Sequence, residues 1–438
     1  MTAEPAIESS AAALTVDFRP GLRRLAWMVI AWAIASLTVA QVTYAFERGN
    51  DLSEYADAHS ESNEVRAGQG FAERGFTSNG GLADIDFGDQ FPHNGGKIDK
   101  HLCPETFVMC VYFHNPPGSE WIMGVLTKIF GVGKIPLYRL FYIALGTVAM
   151  CVLAGAIAAA LDPVRAAMAM VFLHGVPMFS NMMHGLFHST GFSMLLFEYA
   201  LSVHVFRKPR ALSRGAVVTF GLLGFLQGWL TFEHVFLVTF APLVLALLFV
   251  SLGDAKERRR VLFCVLAAGG GFALAHALHF VQIAHYLGGV KAMIAHFKGV
   301  ADARSGSTEY YNWDKFAFPG RIGVVAWVYL TIFANKYYYD GSFVTFLATV
   351  IAVCAWGRPL LMPVGDRLRL HMAGGRGPLL AILASLAVSS AWLVLMPAHA
   401  SIHPHFIPRL LFLALFTGTL AFLKTFDVSI APPRLRWN

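Results

Sequence analysis

Leu25–Phe46 reads LAWMVIAWAIASLTVAQVTYAF, an apolar run without one charged residue. A helix of that length crosses the roughly 30 Å hydrocarbon core of a bilayer, since each residue rises about 1.5 Å. The run is too long for a signal-peptide core and no small-residue cleavage site follows it, so a retained first membrane helix is predicted. The whole chain agrees: of 438 residues 56% are hydrophobic and 14% charged, and the mean hydropathy is +0.55. Soluble domains carry about a quarter charged residues. The net charge of +7 sits in short clusters between apolar runs, so membrane lipid is the expected partner and nucleic acid is not.

Further apolar runs follow at Leu137–Leu161, Ala166–Phe179, Leu186–Phe206, Ala216–Leu230, Val235–Leu252, Val261–Ile283, Ser342–Trp356, Leu379–Met396 and Phe406–Leu423. Together they predict an all-α polytopic membrane bundle of about ten transmembrane helices. Val324–Ala334 is below spanning length and reads as a re-entrant or interfacial helix. With ten spans, every basic cluster falls on one side: Arg19, Arg23 and Arg24; Arg207, Lys208, Arg210 and Arg214; Lys256, Arg258, Arg259 and Arg260; Arg358, Arg367, Arg369 and Arg376; Arg434 and Arg436. Short cytoplasmic loops are enriched in Lys and Arg. Residues 1–24 then form a cytoplasmic tail, 25–438 the transmembrane domain, and segments 47–136, 284–341 and 397–405 lie outside.

The first outer loop, 47–136, inverts the sign of the protein: thirteen acidic residues stand against seven basic, a net −6. Asn79-Gly80-Gly81 and Asn94-Gly95-Gly96 read as turns. Ser62–Arg74 and Trp121–Phe130 are predicted to be interfacial helices lying on the membrane surface. Cys103 and Cys110 share this loop, where a disulfide would persist, although spacing alone leaves their pairing open. Cys151, Cys264 and Cys354 fall in apolar runs and read as small hydrophobes. No internal repeat of the kind many transporters carry is visible.

Asp57, Glu61 and Glu64 share one face if their segment is helical. They read either as a solvated acidic face or as a general base or cation site. Tyr112–Trp121, YFHNPPGSEW, reads as a stiff proline turn opening a helix. Within the spans, Glu198 calls for a partner or a cavity, and Glu233-His234 lean towards function. His399, His403 and His405 meet no metal-ligand spacing and read as anchors or phosphate contacts. Tyr337–Tyr339 fit an aromatic belt.

Taken together, ESNEVRAGQGFAERGF (Glu61–Phe76), YFHNPPGSEW (Tyr112–Trp121) and the later HPHFIPR (His403–Arg409) resemble the GT-C membrane glycosyltransferases. The nearest likeness is to the protein O-mannosyltransferases and the lipid A aminoarabinose transferases, carried by about the first 135 residues. Two departures stand out. Ser60-Glu61 replaces the family's Asp-Glu pair, and Pro177–Ser189 offers Asn181, His184 and His188 but no second acid. The resemblance implies a GT-C-like bundle in a bacterial inner membrane. Its reaction would move a sugar from a polyprenyl-phosphate donor to a lipid, glycan or protein acceptor by inverting single displacement. No cofactor is obligatory, and a divalent cation stays open.

The roles follow from that chemistry. Glu61 is the first choice of base, with Asp57 and Glu64 as alternatives. Arg409, then Arg139 and Lys336, are the cations expected to receive the departing phosphate. His114, Asn115, Glu120, His188, Glu233, His234, His403 and His405 are expected to line the substrates. A transporter or flippase of a lipid-linked or anionic solute, using Glu198, is the main rival, and a non-catalytic assembly partner is a third reading.

Overall fold

The computed structural model describes residues 20–51, 58–85, 111–112, 115–176, 186, 189–208, 212–305, 323, 326, 368–372, 376–398 and 407–430. The expected sites at Asp57, His114, His188, Lys336, His403 and His405, the cysteines 103 and 110, and the run 342–356 lie outside them. The described chain is almost wholly helical. In order come α1 (Pro20–Arg48), α2 (Ala58–Arg74), α3 (Gly118–Phe130), α4 (Ile135–Ala160), α5 (Pro163–His174), α6 (Ser189–Phe206), α7 (Arg214–Leu230), α8 (Val235–Phe249), α9 (Ala255–Tyr286), α10 (Val290–Ser305), α11 (Arg376–Leu395) and α12 (Ile407–Thr425). Two short antiparallel ladders complete it, β1 (Ala83–Asp84) with β2 (Val111–Tyr112), and β3 (Leu368–Met372) with β4 (Phe426–Ile430).

Among the described residues, four helices, α1, α4, α9 and α11, are long and apolar enough to cross a membrane, while α5 and α8 are apolar but shorter. The expected run Ala166–Phe179 yields only α5, which stops at His174. Their surfaces are those of a helical membrane protein. Met28, Trp32 and Val39 on α1 and Leu266, Leu274 and Val281 on α9 are exposed, whereas Glu198, Gln227 and Arg139 are buried. Apolar outside and polar inside is stable only where the surroundings are hydrocarbon. Cys151 faces outward on α4 and Cys264 is buried, so only the second is a core thiol.

Local sequence places the helix starts. Asp162 and Ser213 accept backbone N–H bonds from Arg165 and Ala216 at 2.8 and 3.1 Å, and Asp254 from Lys256 at 2.8 Å, each an N-cap. The main core joins α1, α4–α9, α11 and α12. Phe192 and Tyr199 of α6 meet Phe412 and Phe416 of α12 with ring centroids 5.0 to 6.1 Å apart. Between α7 and α9, Gly224 lies so close to the Ala268 carbonyl that any side chain would overlap it, the close approach small residues permit in membranes.

Among the described residues, Arg207, Lys208, Arg260, Arg376 and Lys424 gather at one end of the bundle. Arg260, at the start of α9, donates to the carbonyls of Val205 and Lys208 at the end of α6. Lys424 of α12 donates to Leu248 of α8, and the start of α11 sits against Leu247. Helices α2 and α3 occupy the opposite end, beside the end of α1 and the start of α4. There they form their own small core of Val65, Met123, Leu126, Ile135, Tyr138, Tyr142 and Leu186.

One expectation is corrected here. Helix α2 does not lie on a surface: Glu61, Glu64, Val65, Ala67 and Phe71 are all buried. Gly68 and Gly124 explain how. A Cβ on Gly124 would stand 2.9 Å from the Phe71 Cβ, and one on Gly68 would strike Met123, so α2 and α3 touch backbone to backbone and α4 closes over them. Helix α3 does keep an outward apolar face, Val125, Ile129 and Phe130, as an interfacial helix should.

Candidate active site

Two helical pairs with matched spacing build the site. Glu61 and Glu64 are three apart on α2, and Arg139 and Tyr142 are three apart on α4, so each pair projects from one face. Where the helices cross, Arg139 Nη2 lies 3.9 Å from Glu61 Oε2, with both side chains fully buried. The Tyr142 hydroxyl donates to Glu64 Oε1 at 3.1 Å. Glu61 Oε1 accepts the Leu186 backbone N–H at 2.8 Å. Arg139 also donates to the carbonyls of Gly49, at 3.2 Å, and Asp51, so it fastens the end of α1. Of the expected solvated acidic face, Glu61 and Glu64 are instead buried, while Asp57 lies outside the described residues.

Glu120 on α3 is the third acid. It is 3% exposed, and its Oε2, like Glu64 Oε2, is buried without a hydrogen-bond partner. Burial lifts Glu64 well above the usual carboxylate range; the charge of Glu120 adds to the rise, the Tyr142 bond opposes it, and Glu61 adds further. Burial pushes Glu120 from 4.5 up to about 7, against a backbone hydrogen bond that lowers it. Glu61 meets the Arg139 guanidinium, and the charges of Glu120 and Glu61 bear on Glu64 in this buried setting. Burial and the neighbouring carboxylates thus favour the protonated form of Glu64, and burial that of Glu120.

A second node stands along the chain from Leu186. Gln227 Nε2 of α7 donates to the Gly191 carbonyl at 2.6 Å, and Gln227 Oε1 pairs with His234 Nδ1 at 3.0 Å. The charge of Arg409, at the start of α12, reaches His234. Glu233, His234 and Arg409 are all buried. Glu61 holds the chain at Leu186, and Gln227 takes it up again at Gly191. Asn115 is buried at the turn before α3. Trp121 edges onto Trp229 at 5.4 Å and donates to the Gly81 carbonyl at 3.0 Å, which ties that turn to α7.

The structure brings Glu61, Glu64, Glu120 and Arg139 into one cluster and His234 with Gln227 into another, within reach of the Arg409 charge. Sequence reasoning missed Tyr142 and Gln227. The first could have been found from its spacing to Arg139, and the second as a lone amide in an apolar run. Among the described residues, no group of three or more His, Cys, Asp or Glu is arranged to hold a metal ion. No protein-family model, no curated protein and no solved structure matches this chain.

Proposed function

We propose that the protein is a membrane glycosyltransferase that moves a sugar from a polyprenyl-phosphate donor to an acceptor on the extracytoplasmic side. Helices α2 and α3 would face that side, in a ten-span topology with both termini cytoplasmic. One observation carries the reading: a buried carboxylate oxygen on Glu64, without a partner and beside Glu120, at the bundle end opposite the basic clusters. A carboxyl of raised basicity is the stronger proton acceptor once ionised.

The acceptor hydroxyl attacks the anomeric carbon, and the bond from that carbon to the phosphate oxygen breaks, its electron pair leaving with the phosphate. The acceptor's proton passes to the carboxylate. Glu61 has its oxygens engaged by Leu186 and Arg139, so it positions α2 and Glu64 takes the proton. Arg139 is likewise committed to Glu61 and to the end of α1. Arg409 is the phosphate ligand, because a guanidinium grips phosphate oxygens in a two-pronged fork.

Sugar transfer by purified protein in lipid is the test. Glu64→Gln keeps the shape and the Tyr142 bond but removes the base, and a loss of about 100- to 10,000-fold is expected. Glu61→Gln should lose less, with an altered melting temperature. Normal transfer by both variants overturns the assignment.

A transporter of a lipid-linked or anionic solute is the second reading, favoured by Glu198. Both of its oxygens are buried in α6 without a partner, the mark of a coupling site. Solute flux into proteoliposomes that Glu198→Gln abolishes, with no sugar transfer by wild-type protein, would favour it.

A further inference from the structure

Helix α6 carries one carboxyl, Glu198, in the middle of its length. At position 191, toward the outer node, the Gly191 carbonyl accepts Gln227 Nε2 at 2.6 Å. At position 205, toward the basic end, the Val205 carbonyl accepts Arg260 Nη2. Glu198 stands midway between the two, roughly 10 Å from each at about 1.5 Å per residue. That places it deep in a hydrocarbon core about 30 Å thick.

Positions 191, 198, 202 and 205 recur at helical spacing, so they share one face of α6. A Cβ on Gly191 would stand 3.3 Å from the His234 ring and 3.8 Å from Gln227 Oε1, so this face looks onto α7 and α8. Glu198 and Ser202 are fully buried on it. Both Glu198 oxygens and the Ser202 hydroxyl lack a hydrogen-bond partner, as does the hydroxyl of Tyr199, next in the chain. Among the described residues no charged group bears on Glu198.

An ionised carboxylate there would be a bare charge in hydrocarbon, and ionisable side chains inside a bilayer mark ion pathways and proton relays. The donor set chooses the ion. A metal cation draws on a shell of several oxygens, whereas this face offers one carboxyl and one hydroxyl, and a proton needs a single oxygen. The approach is one-sided as well. Toward Gln227 the intervening residues near this face are Met194 and Leu195, both apolar. Toward the basic end Ser202 stands one turn on, and the Arg260–Glu257 pair lies beyond it.

We propose that Glu198 is a proton-binding site in the interior of the bundle, loaded from the basic end of α6 by way of Ser202. In each loading step the Ser202 hydroxyl gives its proton to the Glu198 carboxylate and takes one from a hydronium ion arriving at that end, which leaves as water. The site names the ion that the transporter reading leaves open and rests on that reading for its use. The measurement needs no solute, so the two fail separately.

The test is infrared spectroscopy of the full chain in nanodiscs, read as the carbonyl stretch of a protonated carboxyl. Wild-type protein should show such a band at neutral pH that Glu198→Gln lacks and Glu198→Asp moves; thermal unfolding confirms that each variant folds. Heavy water should shift the band as a deuteron replaces the proton, and Ser202→Ala should slow that shift at least about tenfold. Spectra that neither Glu198 variant changes overturn the site. A Glu198 band that heavy water never shifts means a trapped proton and overturns it equally. Exchange as fast in Ser202→Ala as in wild type overturns the route from the basic end. Normal exchange in a protein that carries no solute overturns the transporter reading alone.

Discussion

The two ends of the bundle treat buried charge in opposite ways. At the basic end, Arg260 Nη1 reaches both oxygens of Glu257 at 3.0 and 2.9 Å, its Nη2 donates to the carbonyls of Val205 and Lys208, and its plane lies over Phe206 at 5.2 Å. One acid meets one base and the guanidinium is satisfied, as in a rivet between α9 and α6. At the other end Arg139 Nη2 stands 3.9 Å from Glu61, and Oε2 of Glu64 and of Glu120 stay buried without a hydrogen-bond partner. A buried polar group left unpaired costs about 1–3 kcal/mol, more when charged. The contrast separates a satisfied ion pair from a cluster whose acceptors are unmet.

Removal of Arg139 should sharpen that contrast most. Arg139→Met strands Glu61 and the carbonyls of Gly49 and Asp51, and breaking a buried pair costs about 3–5 kcal/mol. Thermal unfolding in detergent should show it as a large drop in melting temperature. Arg260→Met, at a partly wet helix end, should cost less, and the reverse order would break the distinction between the two ends.

Glu120 gives the next effect, with a definite sign. Its folded pKa of about 7 stands above the ordinary 4.5, so its contribution to stability is fully present below pH 4.5. That contribution is lost as pH rises from there through 7, by about 3 kcal/mol at most. Glu120→Gln should flatten that fall and make the protein steadier at pH 8. An unchanged pH profile in the variant would remove Glu120 from the cluster. The smallest effect belongs to Arg74, whose exposed side chain pairs with Asp84 at 3.1 Å. Arg74→Ala should change stability by no more than about 1 kcal/mol, and a larger loss would mean the cover over α2 is tighter than this single ion pair.

Sequence spacing placed Glu61 and Glu64 on one face, and the structure agrees. Their burial was illegible, because α2 is polar along its length and nothing local distinguishes a wet acidic helix from a packed one. Their partners Leu186 and Tyr142 lie 125 and 78 residues away in the chain. Glu120 was expected to line the substrate, but its effect on Glu64 could be seen only once Gly68 and Gly124 had brought α2 and α3 together.

The sequence by itself determined the solvent and the ends. Apolar runs such as Leu25–Phe46 and Leu137–Leu161 specify membrane helices through length and hydropathy, both local properties of the chain. The clustering of Arg and Lys set one end of the bundle apart, because charge is read residue by residue. Only the tertiary structure decided which acids are buried, which guanidinium meets Glu61, and that Glu198 has no partner. Desolvation and packing depend on neighbours that the chain supplies from far away, and no window of sequence contains them.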